Sequence, residues 1–156
     1  MSSAPAVSVI IAARDYGEHL PTALASVSAQ TLQDWECIIV DDASSDGTPR
    51  IAAEAVAKDK RFRSIRFDAN VGVSAARNRG IAEAQGRYVQ FLDADDAIAP
   101  EKLARQAAFL DAHPDSSARM LRLRAFHRCA GLWRNRASIM VMRSWMGLAM
   151  LTSIAC

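Results

Sequence analysis

Asp93, Asp95 and Asp96 fall within four residues, directly after the apolar run Tyr88-Val89-Gln90-Phe91-Leu92. A run of that kind reads as a buried strand, so three carboxylates are expected at its carboxyl tip. Two unit charges about 4 Å apart repel by roughly 4 kcal/mol at an effective dielectric near 20, so the cluster wants a compensating cation. Hard oxygen donors select Mg²⁺ or Mn²⁺, ions that commonly bind through one or two carboxylates plus substrate phosphates. The simpler alternative is one Asp capping the next helix with the others solvated. A second acidic pair, Asp41-Asp42, closes another apolar run, Cys37-Ile38-Ile39-Val40.

The elements that would position these acids alternate along the chain. Val7 to Ala12 is a β-branched run and reads as strand. Leu20, Ala23, Leu24 and Val27 then recur at helical spacing, ending near Gln30. After the Cys37–Val40 strand, Ser45-Asp46-Gly47-Thr48-Pro49 supplies turn and capping chemistry, with Thr48 expected as N-cap and Pro49 in the first turn. An Ala-rich helix over 51–58, a strand over 62–67, the loop Asn70-Val71-Gly72 and a helix over 74–85 ending at Gly86 follow. Beyond the acidic cluster, a helix runs from Pro100 to about Ala112 and stops at His113-Pro114.

Strict strand–helix alternation predicts an α/β fold, a mostly parallel sheet with helices on both faces. Ligands in such sheets bind beyond the carboxyl ends of the strands, so Asp41 and Asp42 can face the same crevice as the acids some 50 residues later. Other phosphate-handling designs are missing. No GxxxxGK[ST] loop occurs, no GxGxxG follows the first strand, and no GxSxG elbow exists. Asn70 and Gly72 are expected to shape their loop, since Gly supplies positive φ and Asn tolerates it.

Six segments in order and spacing carry a resemblance. Val7-Ser8-Val9-Ile10-Ile11, Ser26 to Thr31, and Ile39-Val40-Asp41-Asp42-Ala43-Ser44-Ser45-Asp46-Gly47-Thr48 look like the opening of the family 2 glycosyltransferases. Asn70-Val71-Gly72, Ala76-Arg77-Asn78-Arg79-Gly80 and Phe91-Leu92-Asp93-Ala94-Asp95-Asp96 continue the match. The resemblance covers about residues 5–117 and implies a Rossmann-like GT-A fold. It implies a hexosyltransferase-like enzyme that moves a sugar from a nucleotide-diphosphate donor, a UDP-sugar first, to an acceptor hydroxyl with inversion. Ala12 and Ala13 would offer backbone groups to the nucleobase. Asp42 would accept hydrogen bonds from base or ribose, or else act as a turn residue. Asp93 and Asp95 form the DxD pair with Asp96 beside them, and among the three they would hold Mg²⁺ or Mn²⁺ and the donor ribose. Arg77 would meet the diphosphate or pair with a carboxylate, tying its helix to the sheet.

Two departures from the family pattern stand out. An aromatic residue and Asn are usual at the positions of Arg14 and Asp15, which leaves base stacking in question and a phosphate as the alternative partner for Arg14. The second departure is compositional. The net charge of +2 hides a break near residue 118: before it stand 12 Lys and Arg against 17 Asp and Glu, after it seven Arg and no acid. Residues 118–156 are therefore expected to lie outside the fold, as a truncation or frame shift would leave them. The donor half is expected present, the acceptor half and its general base absent, with an inactive nucleotide-sugar-binding fragment as the alternative.

The tail's arginines share no helical face, and the apolar stretch from Trp145 to Cys156 is too short to span a bilayer, so neither nucleic acid nor membrane is an expected partner. The acceptor, a saccharide or lipid-linked glycan, stays open. No CxxC or Cys/His metal spacing joins Cys37, Cys129 and Cys156, and no secretory leader is visible, so a cytoplasmic location is the default.

Overall fold

Val7–Ala13 (β1) and Trp35–Asp41 (β2) are almost wholly buried, as strands covered on both faces must be. In the computed structural model, residues 4–113 are described in full, together with the backbone of 124–129, 132–137 and 140–142. β1 runs parallel to β2 and to Tyr88–Phe91 (β4), with Ile10 opposite both Ile38 and Phe91. Phe62–Arg66 (β3) adds to the far side of β2, again parallel. Met140–Met142 (β8) lies antiparallel along β4, so the sheet among the described residues has the order β3-β2-β1-β4-β8.

Side chains alternate across β1 with period two, and this decides which helix covers which face. Val7, Val9 and Ile11 share one core with Leu20, Leu24 and Val27 of α1 (Leu20–Ser28), Ala52 of α2 (Thr48–Lys58) and Leu103 and Leu110 of α4 (Lys102–Ala112). Ile10, Ile38 and Val40 face the other way, onto Ala76 of α3 (Val73–Glu83). Each such Ile or Val contributes about 1.5–3 kcal/mol by burial. α3 approaches β1 so closely that a methyl added to Gly80 would collide with Ile10 Cγ2.

The mostly parallel sheet with helices on both faces is the expected architecture. Local details differ. Gly47, not Thr48, is the N-cap of α2. Asp46 accepts the Thr48 N–H at 2.9 Å, while the Thr48 hydroxyl accepts the Tyr16 N–H at 2.9 Å. A partner 32 residues away outcompetes the local cap. His113 does end α4, stacking on Phe109 with ring centroids 4.2 Å apart.

The short strand Asp96–Ala97 (β5) had no sequence signal. It pairs antiparallel with Arg124–Cys129 (β6), which pairs with Leu132–Ala137 (β7). For the tail set apart at residue 118, only the backbone of β6, β7 and β8 is described. The expectations about its remaining residues, Cys156 and the stretch from Trp145 among them, lie outside the described residues.

Candidate functional site

At the carboxyl ends of β1, β2 and β4 the sheet opens into a cleft of about 380 Å³. Ala12, Ala13, Asp42, Arg77, Asp93 and Asp95 all line it. Four segments far apart in sequence thus supply one wall or another, as the strand-end rule for parallel sheets requires.

Ala12 and Ala13 end β1, and Ala13 accepts the Asp42 N–H at 2.9 Å, which fixes the start of the β2 loop beside it. Asp42 is 4% exposed, and its two carboxylate oxygens accept the backbone N–H groups of Val71 at 2.7 Å and Gly72 at 2.9 Å. Asn70 Oδ1 also accepts the Gly72 N–H, at 3.0 Å. Gly72 has φ of +90°, a conformation that favours glycine. Asp42 therefore latches the 70–72 loop as one wall of the cleft. A donor base or ribose would meet a carboxylate that already carries two hydrogen bonds.

The acidic cluster separates by burial. From Phe91 to Ile98 the chain alternates half-buried and buried residues, putting Asp93 and Asp95 on the cleft side and Asp96 toward the core, with Ala94 buried beneath the cleft it helps to line. Asp93 is held by Arg77 at 2.8 Å, with the guanidinium carbon 5.8 Å from the Phe91 ring centroid, within cation–π reach. Of the two partners open to Arg77, the carboxylate is the one engaged, and the contact ties α3 to the end of β4.

Asp96 is 4% exposed and does not line the cleft. Its N–H closes a turn onto the Asp93 carbonyl at 3.0 Å, and its carboxylate opposes the drop in the Lys102 ammonium pKa, which burial pushes down to about 8. Among the described residues, no three His, Cys, Asp or Glu side chains are grouped to hold a metal ion. The cleft instead offers two hard carboxylates, Asp93 and Asp95. That donor set fits Mg²⁺ or Mn²⁺ when phosphate oxygens and water complete the shell.

The rim between β1 and α1 escaped the sequence reading. Asp15 and Ala43 have positive φ, 56° and 58°. Asp15 accepts the Ser45 N–H at 2.7 Å, its own N–H donates to Ser44 Oγ at 2.9 Å, and the Gly17 N–H donates to Asp46 at 2.7 Å. Hydrogen bonds from the Thr48 hydroxyl and N–H, with that of Gly17, hold the Asp46 carboxyl below its usual range. Nothing local in the sequence marks these partners, which lie 29 or 30 residues apart.

Comparison with known proteins fits this geometry. TuaG of Bacillus subtilis (strain 168), which carries a provisional name as a teichuronic acid biosynthesis glycosyltransferase, is 40% identical over 106 residues, covering 68% of this chain and 42% of TuaG. The S. aureus TarS fragment 1–349, solved in complex with UDP-GlcNAc, superposes with a TM-score of 0.65 at 31% identity, covering 69% of this chain and 32% of that fragment. The mannosyltransferase PcManGT from Pyrobaculum calidifontis, solved with GDP-Man and Mn²⁺, gives 0.67 at 25% identity over 75% of this chain and 35% of its own. The chain thus spans well under half the length of these relatives, and its sheet is of the GT-A type they share. The model of Glycosyl transferase family 2 matches residues 8–150, and the chain belongs to that family.

Proposed function

We propose that the cleft binds a nucleotide-diphosphate sugar, with UDP as the first nucleotide to test, together with Mg²⁺ or Mn²⁺. In the whole protein the sugar would pass to an acceptor hydroxyl with inversion. One observation carries the donor assignment: Ala12, Ala13, Asp42, Arg77, Asp93 and Asp95 meet in a single cleft at the strand ends. The nucleotide sugars bound by TarS and PcManGT support it.

Each residue then has a task. Ala12 and Ala13 are small enough for a ring to lie against the end of β1. Asp42 keeps the 70–72 loop in place as the facing wall. Asp93 and Asp95 hold the divalent ion, and Arg77 keeps Asp93 in position. When bound, the ion supplies a Lewis acid for charge growing on the departing nucleoside diphosphate. Residues 5–117 form the donor-binding unit in this proposal.

A second reading, binding without transfer by this chain, is favoured by one fact: residues 116–156 hold no Asp or Glu. The acceptor hydroxyl must lose a proton to a base. His113 is engaged with the Phe109 carbonyl at 2.8 Å. Incubation with radiolabelled donor and a panel of acceptors separates the two readings, since binding alone yields no labelled product.

For the donor site, UDP with Mn²⁺ is expected to raise the melting temperature of the full chain by a few degrees. Asp95→Ala is expected to abolish the shift. An equal shift in the variant, or one indifferent to Mn²⁺, would sink the assignment.

A further inference from the structure

We propose that Arg14 is a diphosphate-binding residue, reaching the donor from the end of β1. This rests on the nucleotide-sugar reading of the cleft and goes beyond it. Two arginines line the cleft and they are not equivalent. Arg77 is engaged by Asp93 at 2.8 Å. The ion pair of Arg14 with Asp15 spans 3.8 Å, longer than a hydrogen bond, and its side chain is 51% exposed.

That ion pair falls on Asp15 Oδ2, while the rest of Asp15 is fixed by the 44–48 segment. Its Oδ1 already accepts both the N–H and the hydroxyl of Ser45, at 2.7 and 3.1 Å. The N–H groups of Asp15, Tyr16 and Gly17 each bond to a side chain of the 44–48 segment. The backbone after Arg14 is thereby pinned, with Asp15 kept in the left-handed region at φ 56°. Among the described residues, the ion pair of the Arg14 guanidinium is this 3.8 Å contact alone.

Charge argues the same way. Among the described residues, the lining carries three carboxylates against two guanidiniums, and a divalent ion on the Asp93–Asp95 wall would turn that balance positive. A diphosphate fits such a site, and the planar fork of an arginine matches phosphate oxygens.

The test uses the full chain with Mn²⁺ and three ligands, UDP, pyrophosphate and uridine, against Arg14→Ala, Arg14→Lys and Arg14→Tyr. Arg14→Ala is expected to weaken UDP and pyrophosphate by about tenfold, the low end for a charge-assisted hydrogen bond, and to leave uridine unchanged. Arg14→Lys, a point charge without the fork, is expected to recover part of the loss and Arg14→Tyr none. Equal losses for uridine and UDP, rescue by Tyr, or no loss would overturn the inference. If wild type binds UDP only with Asp95 intact yet Arg14→Ala matches it, this inference fails alone. Absence of wild-type binding to UDP and pyrophosphate removes the cleft reading and Arg14 with it.

Discussion

Lys102 is the single buried Lys or Arg among the described residues, 3% exposed, with Nζ donating to Gln90 Oε1 at 2.9 Å. Burial pushes its ammonium down from 10.5 to about 8, and the Asp96 carboxylate opposes the fall. A base whose folded value lies below its unfolded one binds fewer protons when folded, so stability rises with pH across that window. The full effect between pH 8 and 10.5 is on the order of 3 kcal/mol. Lys102→Met is expected to flatten the rise, read by urea denaturation at several values from pH 7.5 to 10. Tyr88 and Cys37 are both pushed up by burial, so each lowers stability as its unfolded form ionises, Cys37 within this range. The readout is therefore the gap between wild type and Lys102→Met at each pH, which is expected to widen in favour of wild type as pH rises. The same rise in the variant would show that Lys102 is not its source. The third acid of the cluster is thus tied to a lysine in the core, and the sequence could not say so. Three adjacent carboxylates look alike until burial separates Asp96 from Asp93 and Asp95.

At the scale of elements, the 70–72 loop is the part of the cleft most dependent on one side chain. Two N–H bonds to the Asp42 carboxylate hold it, and charge-assisted bonds of this kind are worth about 1.5–3 kcal/mol each. Asp42→Ala is expected to speed hydrogen exchange at the Val71 and Gly72 amides by tenfold or more, with the β1 amides unchanged. Unaltered exchange at both would mean the loop stands by itself. The strands and helices were legible because Val, Ile and Ala recur with periods that only one element satisfies. Gly72 was legible too, since few residues tolerate its φ of +90°. The latch was not, because a carboxylate and its amide partners 29 and 30 residues away leave no local trace. β5 was hidden likewise, two residues being too short for any periodicity. The misplaced cap at Thr48 has the same origin: tertiary hydrogen bonding to Tyr16 overrode a local preference.

At the scale of the whole molecule, four parallel strands bring the ends of β1, β2 and β4 to one cleft, with Arg77 tying α3 to its floor. That arrangement explains how motifs some 80 residues apart act together, and it is why the strand order mattered more than any single motif. What the chain shares with its relatives is this sheet and its helices, over less than half of their length. Acceptor choice and the base belong to chemistry for which residues 116–156 offer no carboxylate. The central claim, that Asp93 and Asp95 present a divalent ion to a nucleotide diphosphate lying against Ala12 and Ala13, is tested most directly by anomalous scattering. Crystals grown with UDP and Mn²⁺ are expected to give a manganese peak about 2.2 Å from a carboxylate oxygen of Asp93 or Asp95, with the diphosphate beside it. A manganese peak remote from both carboxylates, or UDP bound outside the cleft, would contradict it.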